Sequence, residues 1–331
     1  MPPRPQRPWF RKFRDPGERS TEAGEHVPVM LAECLAALDP KPGQTIVDCT
    51  LGFGGHSIAI LERLGPTGRL VACDLDSENI ARVEPKLAAV GHPFHIHHGN
   101  FAGLPAVLAG LAIDAVDGVL ADLGFSSMQV DDPDRGFSFM RDGPLDMRMD
   151  RTRGRTAADL LNSISVEELE RALIELGDEP QAGLIARALV NARDKKPFSR
   201  TSEVRDIVRH AAPVRSVRSI DAPPERKQLL LPTTRVFQTL RILVNRELAN
   251  LEQLLRVLPT ILKPGGTAAV LTFHSGEDRL VKAAFRSGVH SGAYDRVSDD
   301  PVRPTESEKA TNPRSRSAKL RVARRALSIG G

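Results

Sequence analysis

The chain has 331 residues, 40% of them hydrophobic, enough for one large domain or two moderate ones with a full core. Its apolar runs are only strand-length and its basic N-terminus lacks the apolar stretch of a signal peptide, which argues against a membrane span or export and points to the cytoplasm. The net charge is only +4, but six of the first nineteen residues and eight between Arg303 and Arg325 are Arg or Lys. Such clusters commonly track a phosphate backbone, and equally occur as solvated tails.

Residues 1–25, with five prolines and many arginines, read as a flexible basic arm that carries Trp9, the only tryptophan. His26 to Leu38 has helical spacing, closed by Pro40 and Pro42. Thr45 to Asp48 reads as a buried strand, followed by the glycine-rich turn Gly52, Gly54, Gly55 and a helix from Ser57 to Leu64, the usual opening of a nucleotide-cofactor site in an α/β sheet. Ser57 stands where a dinucleotide fingerprint has its third glycine. A smaller zwitterionic nucleoside such as S-adenosylmethionine is therefore favoured over a nicotinamide dinucleotide. A second strand, Arg69 to Cys73, ends in Asp74, at the interval where an acid accepts hydrogen bonds from both ribose hydroxyls.

Ser77 to Val90 reads as a helix capped by Ser77, Pro93 to His97 as a third strand, and Val116 to Ala121 as a fourth ending in Asp122, Leu123 and Gly124. Phe101 falls at the sheet's carboxyl edge, where its ring could flank an adenine or simply pack. His95, His97 and His98 lack further ligands at suitable spacing, so no metal is expected. Cys34, Cys49 and Cys73 are scattered and read as reduced, buried thiols.

From Asp131 helical periods replace strands for roughly a hundred residues. Ser165 with Glu168 forms a capping box for a helix stopped by Gly177, and Gln181 to Ala192 and Ser202 to His210 are two more helices. A basic, proline-containing loop runs from Pro213 to Pro232. Thr233 and Thr234 then cap one long amphipathic helix with a stripe from Phe237 to Leu258. Pro264 to Gly266 turns into a fifth strand, Thr267 to Phe273, followed by His274 and a helix from Glu277 to Phe285. Lys319 to Ala323 alternates as an edge strand would.

Several strings together resemble the MraW/RsmH family of bacterial small-subunit ribosomal RNA methyltransferases: HVPVMLAE at His26, TLGFGGH at Thr50, DLGFSSMQ at Asp122, DRGFSFMRDGPLDMRM at Asp134, TRVFQTLRI at Thr234, FHSGEDR at Phe273 and NPRSRS at Asn312. The resemblance implies a class I, Rossmann-like α/β methyltransferase sheet (26–130 and 236–331) with an inserted all-α substrate-recognition domain (131–235). It also implies methyl transfer from S-adenosylmethionine to the exocyclic amine of a cytidine in the decoding centre of 16S rRNA. The family's cofactor contacts fall on Gly54, Gly55, His56, Asp74, Phe101, Asp122 and Gln129. Phe125 and Gly276 depart from the family's usual Val and Leu.

Asp122, with the carbonyls of Leu123 and Gly124, is also placed to accept hydrogen bonds from the target amine, which makes it the catalytic candidate. The arginine- and aspartate-rich segment from Asp134 to Arg155 is either an internally paired loop or a substrate surface, with Phe137, Arg141, Asp146 and Arg148 as the candidate contacts. His274 has equal claims as a functional and as a structural histidine.

Overall fold

The structure is a computed structural model that describes residues 27–213 and 232–327. The expected N-terminal arm with Trp9, and almost all of the basic loop after Pro213, lie outside the described residues.

The first half alternates strand and helix: α1 (Leu31–Leu38), β1 (Thr45–Asp48), α2 (Gly55–Leu64), β2 (Arg69–Asp74), α3 (Ser77–Val90), β3 (Phe94–His98), α4 (Leu104–Gly110) and β4 (Val116–Asp122). A helical stretch follows: α5 (Ser127–Asp131), α6 (Ala157–Leu161), α7 (Val166–Glu175), α8 (Ala182–Arg193), α9 (Thr201–Ala211), α10 (Pro232–Asn245) and α11 (Glu247–Ile261). The chain then returns to the sheet through β5 (Leu262–Thr272), α12 (Ser275–His290), β6 (Tyr294–Val297), α13 (Glu306–Thr311) and β7 (Lys319–Arg325).

The strands form one sheet in the order β3-β2-β1-β4-β5-β7-β6, parallel from β3 to β5, with β7 antiparallel to both neighbours. Successive residues point to opposite faces: Leu70 and Ala72 join one apolar cluster with α1, α2 and α3, while Val71 and Cys73 join another with α4, α11 and α12. Both faces are thus covered, as a parallel sheet requires. A third cluster, from Leu145 to Leu240, is built by the helical stretch and by the N-terminal half of α10. The three cysteines are buried and free.

Several expectations are corrected. Helix α1 starts at Leu31, because Met30 takes a left-handed conformation (φ 52°). The cap of α3 is Asp76, whose carboxylate accepts the Glu78 N–H. The single long helix is two, α10 and α11, broken at Arg246 (φ 53°), and Thr233 and Thr234 lie inside α10, not at its cap. Pro264 to Gly266 is an irregularity within β5, which begins at Leu262 opposite Val116 and resumes register at Thr267 opposite Gly118. β7 is an interior strand, because β6 pairs along its outer side and takes the edge. Its basic residues are largely committed inside the fold: Lys319 and Arg321 both bind Asp278, and Arg325 donates to the Leu262 carbonyl.

Candidate active site

The carboxyl ends of β1, β2 and β4 each carry an aspartate. Asp48 is fully buried and accepts hydrogen bonds from Ser57 Oγ (2.6 Å) and the Thr50 N–H (3.0 Å), so the serine that replaces a third glycine ties the start of α2 to the end of β1. Asp74 Oδ2 accepts from the Gly52 N–H (2.8 Å) and Asn79 Nδ2 (3.3 Å), and Oδ1 from the Asp76 N–H (2.7 Å). With about four acceptor positions on a carboxylate, roughly one is left for a ligand. Burial raises both Asp48 and Asp74 to about 6, against the opposing pull of these hydrogen bonds.

Gly54 holds a left-handed conformation (φ 79°) at the head of α2, and a Cβ there would lie 2.3 Å from Val83 Cγ1. A Cβ on Gly55 would lie 2.8 Å from Pro28 Cγ. Packing against α3 and Pro28 therefore demands glycine at both positions independently of any ligand.

Next to this loop, His56 is buried, with Nε2 3.1 Å from the Val29 carbonyl and Nδ1 3.5 Å from Asp122 Oδ2. Burial drives His56 down to about 4 and Asp122 up to about 8, the latter helped by the charges of Asp48 and Glu277. Asp122 Oδ1 is buried without a hydrogen-bond partner.

These groups border a cavity of about 880 Å³, within the range of small-molecule sites. Gly55, His56, Asp74, Phe101, Asp122 and Gln129 line it; Gly54 does not. Gln129 is held by both ends of its amide, accepting from the Ser126 N–H and donating to Asp76 Oδ2 (2.9 Å). Phe101 also packs on the β-sheet core, so its ring serves both surfaces.

The opposite wall comes from α10, α11 and α12. Arg241 makes a two-pronged ion pair with Glu247 (2.8 and 2.9 Å), and its guanidinium lies 4.3 Å from the Phe125 ring centre. Glu247, His274 and Glu277 bring ligand atoms within 4.8 Å of one another, the one grouping of metal-compatible spacing among the described residues. Arg241 already supplies the cation there, and His274 is the cap of α12, its Nδ1 accepting the Glu277 N–H.

The candidate substrate residues sit behind this wall and do not line the cavity. Phe137 stacks on Phe125 at 6.1 Å, Asp146 and Arg148 form a two-pronged pair with each other, and Arg141 donates to the Asp131 carbonyl. Arg135, missed in the sequence, is the pivot: it is 3% exposed, pairs with Asp76 at 2.7 Å, and donates to the Arg148 and Met149 carbonyls. Arg135, Arg241 and Glu277 all lie in the strings that carry the family resemblance, but only the fold shows what they touch.

A parallel sheet with one antiparallel strand inserted next to its outer edge, ligand-facing acids at the ends of β2 and β4 and a glycine turn between them, defines a class I S-adenosylmethionine-dependent methyltransferase. The buried, unpartnered Asp122 oxygen and the acid-rimmed cavity fit a cationic nucleoside cofactor. The MraW methylase family profile matches residues 23–326, and the chain belongs to that family. It is 44% identical over 312 residues to the ribosomal RNA small subunit methyltransferase H of Geobacter sp. (strain M21), covering 90% of this chain and 97% of that one. It is likewise 44% identical to the protein of that name from Syntrophotalea carbinolica, over 92% and 99% of the two chains. A solved putative rRNA-methylase from Clostridium thermocellum aligns at 12% identity with a TM-score of 0.43, over 92% of this chain and 100% of that one.

Proposed function

We propose that the enzyme methylates the exocyclic amine of a cytidine in the decoding centre of 16S rRNA, acting on the small ribosomal subunit in the cytoplasm. The relatives' shared name supports the RNA. The single observation that carries the amine chemistry is Asp122, a carboxyl at the end of β4 that lines the cavity and has a buried oxygen without a partner.

S-adenosylmethionine supplies an electrophilic methyl group when bound. Transfer to nitrogen is an in-line displacement, so the protein's main contribution is orientation. Asp74 and Asn79 would hold the ribose end, and Asp122 would accept from the amine N–H, turning its lone pair away from the ring. The helical stretch 131–235 is the proposed RNA-recognition unit. In it Phe137 acts by supporting Phe125 at the cavity mouth, and the paired Asp146 and Arg148 shape the loop that carries Met149 to the cavity.

The test is incubation with methyl-labelled S-adenosylmethionine and small subunits from cells lacking the gene, then nucleoside mass analysis. Label in N4-methylated cytidine is the expected result. Label in another base, or label in DNA offered in a parallel incubation with none in the subunits, would refute this substrate.

A further inference from the structure

His56 and Asp122 meet in a way that fixes where protons are. A carbonyl oxygen can only accept, so the 3.1 Å contact with Val29 requires the proton of a neutral His56 to sit on Nε2. Nδ1 then keeps its lone pair, and that lone pair faces Asp122 Oδ2 at 3.5 Å. Two acceptors facing each other in a buried wall repel, a proton on Asp122 removes that repulsion, and Asp122 Oδ1 has no donor to compensate a negative charge.

The surroundings press in the same direction. From β1, Asp48 faces Asp122; from α12, Glu277 does; from α1 the titratable neighbour is Cys34, a thiol that burial keeps protonated. The cations of the cavity wall lie beside other acids: Arg235 pairs with Glu179 and Arg241 with Glu247, and Arg314 feels the charge of Asp131. Burial and these charges hold the Asp122 carboxyl at about 8, consistent with a proton kept at neutral pH.

A ligand anchored at Asp74 is two strands away from Asp122, about 10 Å at the usual spacing of parallel strands. That is the reach of a nucleoside whose sulfonium follows its ribose. We infer that Asp122 and His56 form a charge-gated proton holder, which keeps one proton in the empty site and releases it to solvent when a sulfonium docks beside it. Asp122 is then a carboxylate only in the methyl-loaded enzyme.

The consequence for the reaction rests on the cytidine reading above. The N4–carbon bond forms as the carbon–sulfur bond breaks, and the electron pair of the broken bond stays on sulfur. The amine sheds one proton, and Asp122 Oδ2 accepts it. Sulfur is neutral from that point, so the re-protonated pair is the favoured state beside the thioether product. The site returns to its starting charge without a separate base.

The experiment is calorimetric titration of the whole enzyme at pH 7 with S-adenosylmethionine and with S-adenosylhomocysteine, each in two buffers of different ionisation enthalpy. The sulfonium should release close to one proton and the thioether close to none, and sulfonium affinity should rise about tenfold per pH unit between about 6.5 and 7.5. In Asp122→Asn the sulfonium should release no more than the thioether. Equal proton counts for the two ligands in the wild-type protein overturn the inference, as does undiminished release in Asp122→Asn. Should Asp122→Asn not fold, the wild-type comparison decides alone. Sulfonium-specific release by an enzyme that leaves subunit cytidines unmethylated upholds the proton holder and refutes the substrate.

Discussion

Replacing Gly54 by alanine tests whether the glycine turn is shaped by packing. The residue sits at φ 79°, where a side chain costs about 1–2 kcal/mol. The new Cβ would be 2.3 Å from Val83 Cγ1, where carbon contacts are comfortable at roughly 3.5–4.0 Å. Val83 is 1% exposed and cannot swing into solvent, so overpacking adds about 1–3 kcal/mol. Gly54→Ala should therefore lose about 2–5 kcal/mol in urea unfolding. The two contributions separate in a double-mutant cycle with Val83→Ala, which removes the clashing methyl. The steric part, about 1–3 kcal/mol, should reappear as a favourable coupling, and the backbone part should persist. A coupling below about 0.5 kcal/mol would refute the packing argument and return this glycine to a ligand-approach role.

Three further outcomes follow from the same geometry. Arg135→Met removes the buried cation from Asp76 and should destabilise the protein by about 3–5 kcal/mol, seen as a large drop in Tm; an unchanged Tm would show that the pair is dispensable. Asp74→Ala removes the acceptor of the Gly52 N–H as well as the proposed ligand contact, so S-adenosylmethionine affinity by calorimetry should fall at least about tenfold, and unaltered affinity would exclude Asp74 from the site. Between pH 6.5 and 8, His56 is neutral in the folded chain and still partly protonated in the unfolded one near the lower end, an opposing effect shared by Asp122→Asn, while Asp122 holds a proton only in the folded chain. Its contribution to stability is full below the unfolded value near 4 and is lost as pH rises through about 8. Ligand-free stability should thus fall by up to about 1.4 kcal/mol per pH unit across the window, and a slope identical in Asp122→Asn would remove this residue as its source.

Strands β1 to β5 and the glycine turn were legible because their signals are local: apolar runs of strand length, an acid at the ends of β1, β2 and β4, and glycines where the chain must turn, whereas the short β6 gave no such signal. What was not legible depends on partners far along the chain. Nothing near Arg246 announces a helix break, since the apolar stripe runs through it and the residue is neither glycine nor proline. Arg135 looks like one charge among many until the fold brings Asp76, 59 positions earlier, within 2.7 Å. The alternation in β7 is real, but alternation cannot say whether a strand has one neighbour or two. The family strings did contain Arg135, Arg241 and Glu277; a resemblance marks such residues without saying whether they touch a ligand or hold up those that do.

The arrangement also explains why the helical stretch is attached where it is. Asp76 caps α3 and passes its backbone N–H to Asp74, so its position sets that of the acid proposed to hold the ribose. The other Asp76 oxygen receives both Gln129, which lines the cavity, and Arg135, which holds the carbonyls of Arg148 and Met149. From the far side Asn245 grips the same loop, donating to the Met147 carbonyl and accepting the Met149 N–H, each at 2.8 Å. Met147 takes a left-handed conformation (φ 62°), a strained state that persists only where its surroundings enforce it. Asp76 and the Met149 carbonyl are thus joined through one buried arginine, so the acid at the end of β2 and the loop at the cavity share a single hydrogen-bonded support.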